Sequence, residues 1–292
     1  MKLSAPLYVT GFLLMFSFKS SIVGKINRTT TLDSLGACQG ISYQDGKYFL
    51  YGDREVGVMR SYRINSDTLI YDGNEYKFTV NGENAIKHPT GIAYHKGLPT
   101  FVGNSVKLNP EGTKWKAVIN QINWEGFLKK KNLDENLIST IDDDACIQGT
   151  RPEYVKHKGK WLVATADYGN KNNEVRLYDP KLLAKAKNTN EKGVLVKRFT
   201  CSAWVQNLYW LDKKGILVLV QNQIEGRKWR LTFLDLEKSI ADGKESVIDV
   251  IDTDKADELE GFIFGENAQN GIAVSSSRKN NLSFMNFEWF GR

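Results

Sequence analysis

The chain has 292 residues, 41% of them hydrophobic and 25% charged, with a formal net charge of +6. That balance is ordinary for a folded domain and excludes long disorder. The lysines and arginines are scattered rather than striped, which argues against a nucleic-acid-binding surface.

In chain order, the first segment has Lys2 at its start, an apolar run from Leu7 to Phe18, and small residues at Ser20, Ser21 and Gly24. This predicts a secretory signal peptide over 1–24 and one mature domain over 25–292. The run is short for a membrane span. A secreted or extracytoplasmic monomer, with no stable membrane span once the leader is removed, is therefore expected.

The mature part repeats one pattern: a polar residue, a small or apolar residue, then two apolar strands around a tight turn. The copies begin at Gln39, Thr90, Glu153, Gln206 and Glu260, every 51 to 63 residues. Gly and Asn at the turns, as in Gln44-Asp45-Gly46 and Lys158-Gly159, accept the positive φ that short hairpins demand. The second strands, such as 48–51 and 216–220, are almost wholly apolar, as strands packed on both faces must be.

Third strands are predicted over 58–64, 118–124, 174–178, 229–236 and 282–289. More polar outer strands follow over 75–80, 136–141, 194–199 and 246–251. The last copy lacks an outer strand, and Lys25–Ser34 stands spare before the first. Together these predict an all-β fold: a β-propeller of about five four-stranded blades, closed by the N-terminal strand. Helical turns are expected over 180–186 and 236–241, and a solvated loop over Glu125–Lys131.

The three cysteines are Cys38, Cys146 and Cys201. A Cys146–Cys201 bridge and three free thiols are both compatible with the repeat spacing. Asn27-Arg28-Thr29 and Asn281-Leu282-Ser283 are glycosylation triplets.

Inner strands of a propeller line its axial channel, and ligand sites gather where loops meet that axis. Gln39, Thr90, Glu153, Gln206 and Glu260 are expected to converge there. Five polar groups would hold a polar ligand, or a hard cation such as calcium through carboxylate and amide oxygens. Asn104, Asn222, Asp53, Arg54 and Asp167 end second strands and should ring the same mouth. Asp53 is then a candidate metal ligand beside Glu153 and Glu260. His88 and Asp167 are candidate general bases, and Arg54 and Arg151 candidate anion clamps. The acidic run 142–144 lacks the alternation of a calcium loop.

The segment GKYFLYGDREVG at 46–57 is similar to a motif of the secreted, five-bladed, calcium-activated apyrases. Glu260-Gly261 resembles the pair that opens an inner strand in calcium-dependent lactonase and paraoxonase-like propellers. The resemblance implies a central calcium, with Thr90, Glu153 and Glu260 as ring counterparts. Gly52 replaces one of the paired aspartates. Three functions stay open: binding of a small polar ligand or glycan, calcium-dependent hydrolysis of a phosphate or lactone ester, and a protein-interaction platform.

Overall fold

The computed structural model describes residues 21–65, 68–171, 173–222 and 228–290. Strand β1 (Ser21–Thr30) precedes a meander of β2 (Ala37–Gln44), β3 (Lys47–Asp53), β4 (Gly57–Asn65) and β5 (Thr68–Lys77). A small hairpin, β6 (Thr79–Val80) and β7 (Glu83–Asn84), leads to β8 (Pro89–Ala93), β9 (Thr100–Lys107), β10 (Trp115–Ile122) and β11 (Leu137–Asp142). Helix α1 (Trp124–Lys130) joins the last two. The third meander is β12 (Glu153–His157), β13 (Lys160–Thr165), β14 (Glu174–Tyr178) and β15 (Leu195–Thr200), with α2 (Pro180–Leu183) before its outer strand. The fourth is β16 (Val205–Leu211), β17 (Ile216–Asn222), β18 (Trp229–Asp235) and β19 (Val247–Asp252), with α3 (Leu236–Asp242) in the same place. Last come β20 (Leu259–Phe264), β21 (Asn270–Ser275) and β22 (Leu282–Phe290).

Each meander is a four-stranded antiparallel sheet, and the fifth sheet is completed by β1 in the order β1-β22-β21-β20. The register runs from Ser21↔Phe290 to Thr30↔Leu282, so the spare N-terminal strand closes the ring as expected. It begins at Ser21, inside the segment read as a leader, and Ile22 is buried. Residues 1–20, with the apolar run of that leader, lie outside the described residues. Among the described residues no helix is long and apolar enough to cross a membrane.

The apolar interior is divided among the seams between blades. Phe49, Met59, Ile92 and Val102 pack blade 1 on blade 2. Phe101, Ile119, Tyr154 and Val163 pack blade 2 on blade 3. Leu162, Leu177, Leu208 and Leu219 join blades 3 and 4. Val218, Phe233, Phe262 and Phe287 join 4 and 5. Leu50, Val58, Val274 and Leu282 join blade 5 back to blade 1. Every second-strand residue from Ile216 to Asn222 is buried because both faces of β17 are covered. At the axis the inner strands nearly touch. A Cβ on Gly261 would lie 2.8 Å from Gly40 Cα, so only glycine fits there.

Two expectations are corrected. Glu125–Lys131 is no solvated loop: α1 is capped by the Asn123 side chain, which accepts from the Gly126 amide. Its Trp124 and Phe127, three residues apart, bury against Phe49 and Phe78. The lysines of the run lie at its C-terminal end, where they suit the helix dipole. The outer strand of blade 1 is Thr68–Lys77, not 75–80, because Thr79 and Val80 pair with the β7 strand instead. Of the two readings left open for the cysteines, three free thiols holds. Burial pushes the Cys38 thiol up to about 12, so it is inert as a nucleophile.

Of the two glycosylation triplets, Asn281 is buried, and its amide is engaged on both sides by Leu32, at 2.8 and 2.9 Å. Asn27 is exposed.

Candidate functional site

Four of the five inner strands carry a register shift at their start. The ladder skips Gln39, Thr90, Gln206 and Glu260. A bulge re-aims the skipped side chain, which explains why the polar residue of each repeat leaves the sheet. Thr90 uses its hydroxyl on the Thr150 carbonyl and joins blades 2 and 3. Gln39, Gln206 and Glu260 meet Arg151 in one cavity of ≈ 520 Å³. His88, Trp115, Tyr168, Glu258 and Arg278 also stand on its wall.

Glu153 is not part of this wall. Blade 3 presents Arg151-Pro152 where the others present a polar residue followed by Gly or Asn, so Arg151 fills the fifth position. Pro152 packs where a Cβ on Gly91 would meet it at 3.0 Å. Glu153 lies two residues further in and lines a separate cavity at the opposite end of the inner strands.

Arg151 organises the mouth. It is 3% exposed, and its Nε and Nη2 donate to the backbone and side-chain oxygens of Gln206 at 3.2 and 3.0 Å. The Gln206 amide donates to Glu258 at 2.8 Å, and the Tyr168 hydroxyl donates to the same oxygen at 3.2 Å. The Tyr168 ring returns over the guanidinium, 5.5 Å from its carbon. Burial pulls the Arg151 pKa down, while Asp167 and Glu260 oppose that shift. Its Nη1 is buried without a partner among the described residues.

The remaining candidates are dispersed. Asp167 accepts from the Gln148 amide at 2.9 Å behind Arg151, and burial raises its pKa. It holds the loop that carries Arg151, a positioning part rather than a base at the cavity. His88 stands on the wall shared with a neighbouring cleft, its Nδ1 2.8 Å from Asp53. Asn104 accepts from the His88 amide, and Asn222 from the Leu259 amide, so both hold strand ends together. Arg54 is turned outward, donating to Glu75 and to the Ser34 carbonyl. Trp115 and Glu258 were not foreseen.

The residues do not fit the central calcium that the resemblance implies. A guanidinium occupies the ring, Glu153 is at the far end, and Thr90 serves a carbonyl. Among the described residues no three His, Cys, Asp or Glu side chains are grouped as metal ligands. Calcium at a few millimolar, enough for an ordinary extracellular site, is therefore expected to leave the melting midpoint unchanged. A rise that disappears in Glu260→Gln would show a site after all.

Strand order, seam packing and a polar axial mouth define the chain as a five-bladed β-propeller. No protein-family model and no curated protein matches it. Among solved structures, a chain of hydrazine synthase from Kuenenia stuttgartiensis is similar at TM-score 0.43 and 12% identity, over 84% of this chain and 57% of that one. The chain thus spans less than two thirds of that chain's length.

Proposed function

We propose that this propeller is secreted and binds a polar, hydroxyl-rich ligand of the sugar or glycan class at the mouth built around Arg151. The leader-like residues 1–20, an apolar run behind Lys2, support secretion. One observation carries the ligand class: amide, carboxylate and guanidinium groups are linked in one network beside two aromatic rings in a single cavity. Sugar hydroxyls both donate and accept, so they need neighbours of both kinds. Gln206 supplies both, Glu258 and Glu260 accept, and Arg151 donates. The apolar faces of a sugar ring pack on aromatics such as Trp115 and Tyr168.

A glycan array tests the reading. The wild-type protein should give a defined set of hits, and Trp115→Ala and Glu258→Gln should each weaken them by roughly tenfold or more. A wild-type array without hits, or hits indifferent to both substitutions, overturns it.

A further inference from the structure

The opposite end of the channel holds a feature that the mouth does not explain. Two residues beyond the mouth position, four blades carry Ile41, Ile92, Leu208 and Phe262, all buried. Blade 3 carries Glu153 there. A carboxyl in an apolar position is costly unless something satisfies it. Among the described residues its Oε1 accepts from the adjacent Tyr154 amide alone, at 2.9 Å. No cation of the described residues stabilises its charge, and burial pushes its pKa up to about 8. Glu153 nevertheless keeps some accessible surface, because it faces a cavity of ≈ 190 Å³.

Aromatic rings supply much of the lining of that cavity, beside Ser42, Gln44 and three isoleucines. Tyr43, Tyr94, Tyr209, Trp210 and Phe264 line it with Glu153. The rings are fixed from outside: the Trp210 indole donates to Asp212 at 3.2 Å, and the Tyr94 hydroxyl to Asp45 at 2.9 Å. Tyr209 and Phe264 pack edge to face, with centroids 6.0 Å apart. Aromatic rings gathered around a lone carboxyl attract one kind of ligand above others, a weakly hydrated organic cation. The π-systems favour its charge, and the carboxylate neutralises it.

We propose that the end of the channel opposite the Arg151 mouth is a binding site for a small organic ammonium ion, a primary or methylated amine, with Glu153 as its counter-ion. The site is independent of the glycan reading, since the two ends share no lining residue. Among the described residues the titratable groups that feel Glu153 are the hydroxyls of Tyr51 and Tyr209. Burial raises both above the usual tyrosine range, so they stay neutral while Glu153 titrates.

Titration calorimetry with tetramethylammonium chloride on the intact protein tests this. Saturable binding is expected, strengthening from about pH 6 to about pH 9 as Glu153 ionises. Glu153→Gln keeps the side-chain shape and should weaken binding by roughly tenfold or more and abolish its pH dependence. Trp210→Leu should weaken it while Glu153 still titrates. Glu258→Gln, at the mouth, should leave it unchanged. No saturation in the wild type, equal binding by a folded Glu153→Gln variant, or full displacement by an equal concentration of sodium overturns the assignment.

Discussion

Deleting residues 1–30 is expected to abolish cooperative folding, whereas deleting residues 1–20 leaves it intact. β1 pairs with β22 from Ser21↔Phe290 to Thr30↔Leu282, with one bulge at Asn27. The Ile22 side chain enters the seam between blades 4 and 5, and its amide donates to Asp249 of β19. At about 1 kcal/mol for each ladder hydrogen bond, with burial of Ile22 added, the loss is on the order of 5–10 kcal/mol. That is comparable to the whole stability of a domain. It also bares β22 as a long free edge, a template for aggregation. Near-ultraviolet circular dichroism and a melting curve of the two truncations decide the matter. A cooperative melt of the longer truncation near the wild-type midpoint would show that the ring does not need its closing strand. Removal of the proposed leader by cleavage after Gly24 would cost the strand its buried Ile22, so under that proposal cleavage at or before Ser21 is expected, and mass spectrometry of the N-terminus would show it.

Arg151→Met is expected to destabilise the protein by about 3–5 kcal/mol, because it removes one partner from a buried charged network. Methionine replaces the volume of the stem but not the donors. The side-chain oxygen of Gln206 then loses its donor, and Glu260 and Asp167 lose the nearby positive charge. The sign with pH follows from Asp167. Burial already raises its pKa, and removing the opposing guanidinium raises it further. An acid raised above its unfolded value is tolerated while protonated, so the variant should lose stability relative to wild type as pH rises through the carboxylate range. Denaturant melts at about pH 4.5 and about pH 8 measure this. An equal, small loss at both pH values would mean that the guanidinium is not coupled to its acidic neighbours. Arg151→Lys keeps the charge but not the fork, and should recover only part of the difference.

The architecture was legible because each hairpin carries its own local signals. Asp45 and Gly46 both adopt positive φ, as do Lys158 and Gly159, and the sequence shows such turns directly. β17 reads as a buried strand from its apolar run alone. The site was less legible for a physical reason. The repeat begins with a polar residue followed by glycine at Gln39-Gly40, Thr90-Gly91 and Glu260-Gly261. In blade 3, proline supplies the close fit instead of glycine, and the next residue happens to be acidic. Counting polar starts therefore lands on Glu153, two residues past Arg151. The apolar positions Ile41, Ile92, Leu208 and Phe262 hold the signal that corrects the count, because Glu153 aligns with them. Trp115 and Glu258 reach the mouth from a third strand and from the residue before an inner strand. No repeat position marks them, and only the folded ring brings them to Arg151. The α1 helix was hidden by the lysine run 129–131 at its C-terminal end, whose charge obscured the Trp124–Phe127 pair beneath.

The seam formed by β1 and β22 also sets the order in which the molecule can be finished. Ser21 leaves the ribosome long before its partner Phe290 exists. At ordinary translation rates that interval is roughly 10–60 s. Until it passes, the first strand made has nowhere to pair, and the last contact formed has nearly the greatest sequence separation the chain allows. Such topologies fold slowly. Any factor that keeps the chain open would find its handle in that waiting strand, and releasing the handle would fasten the ring.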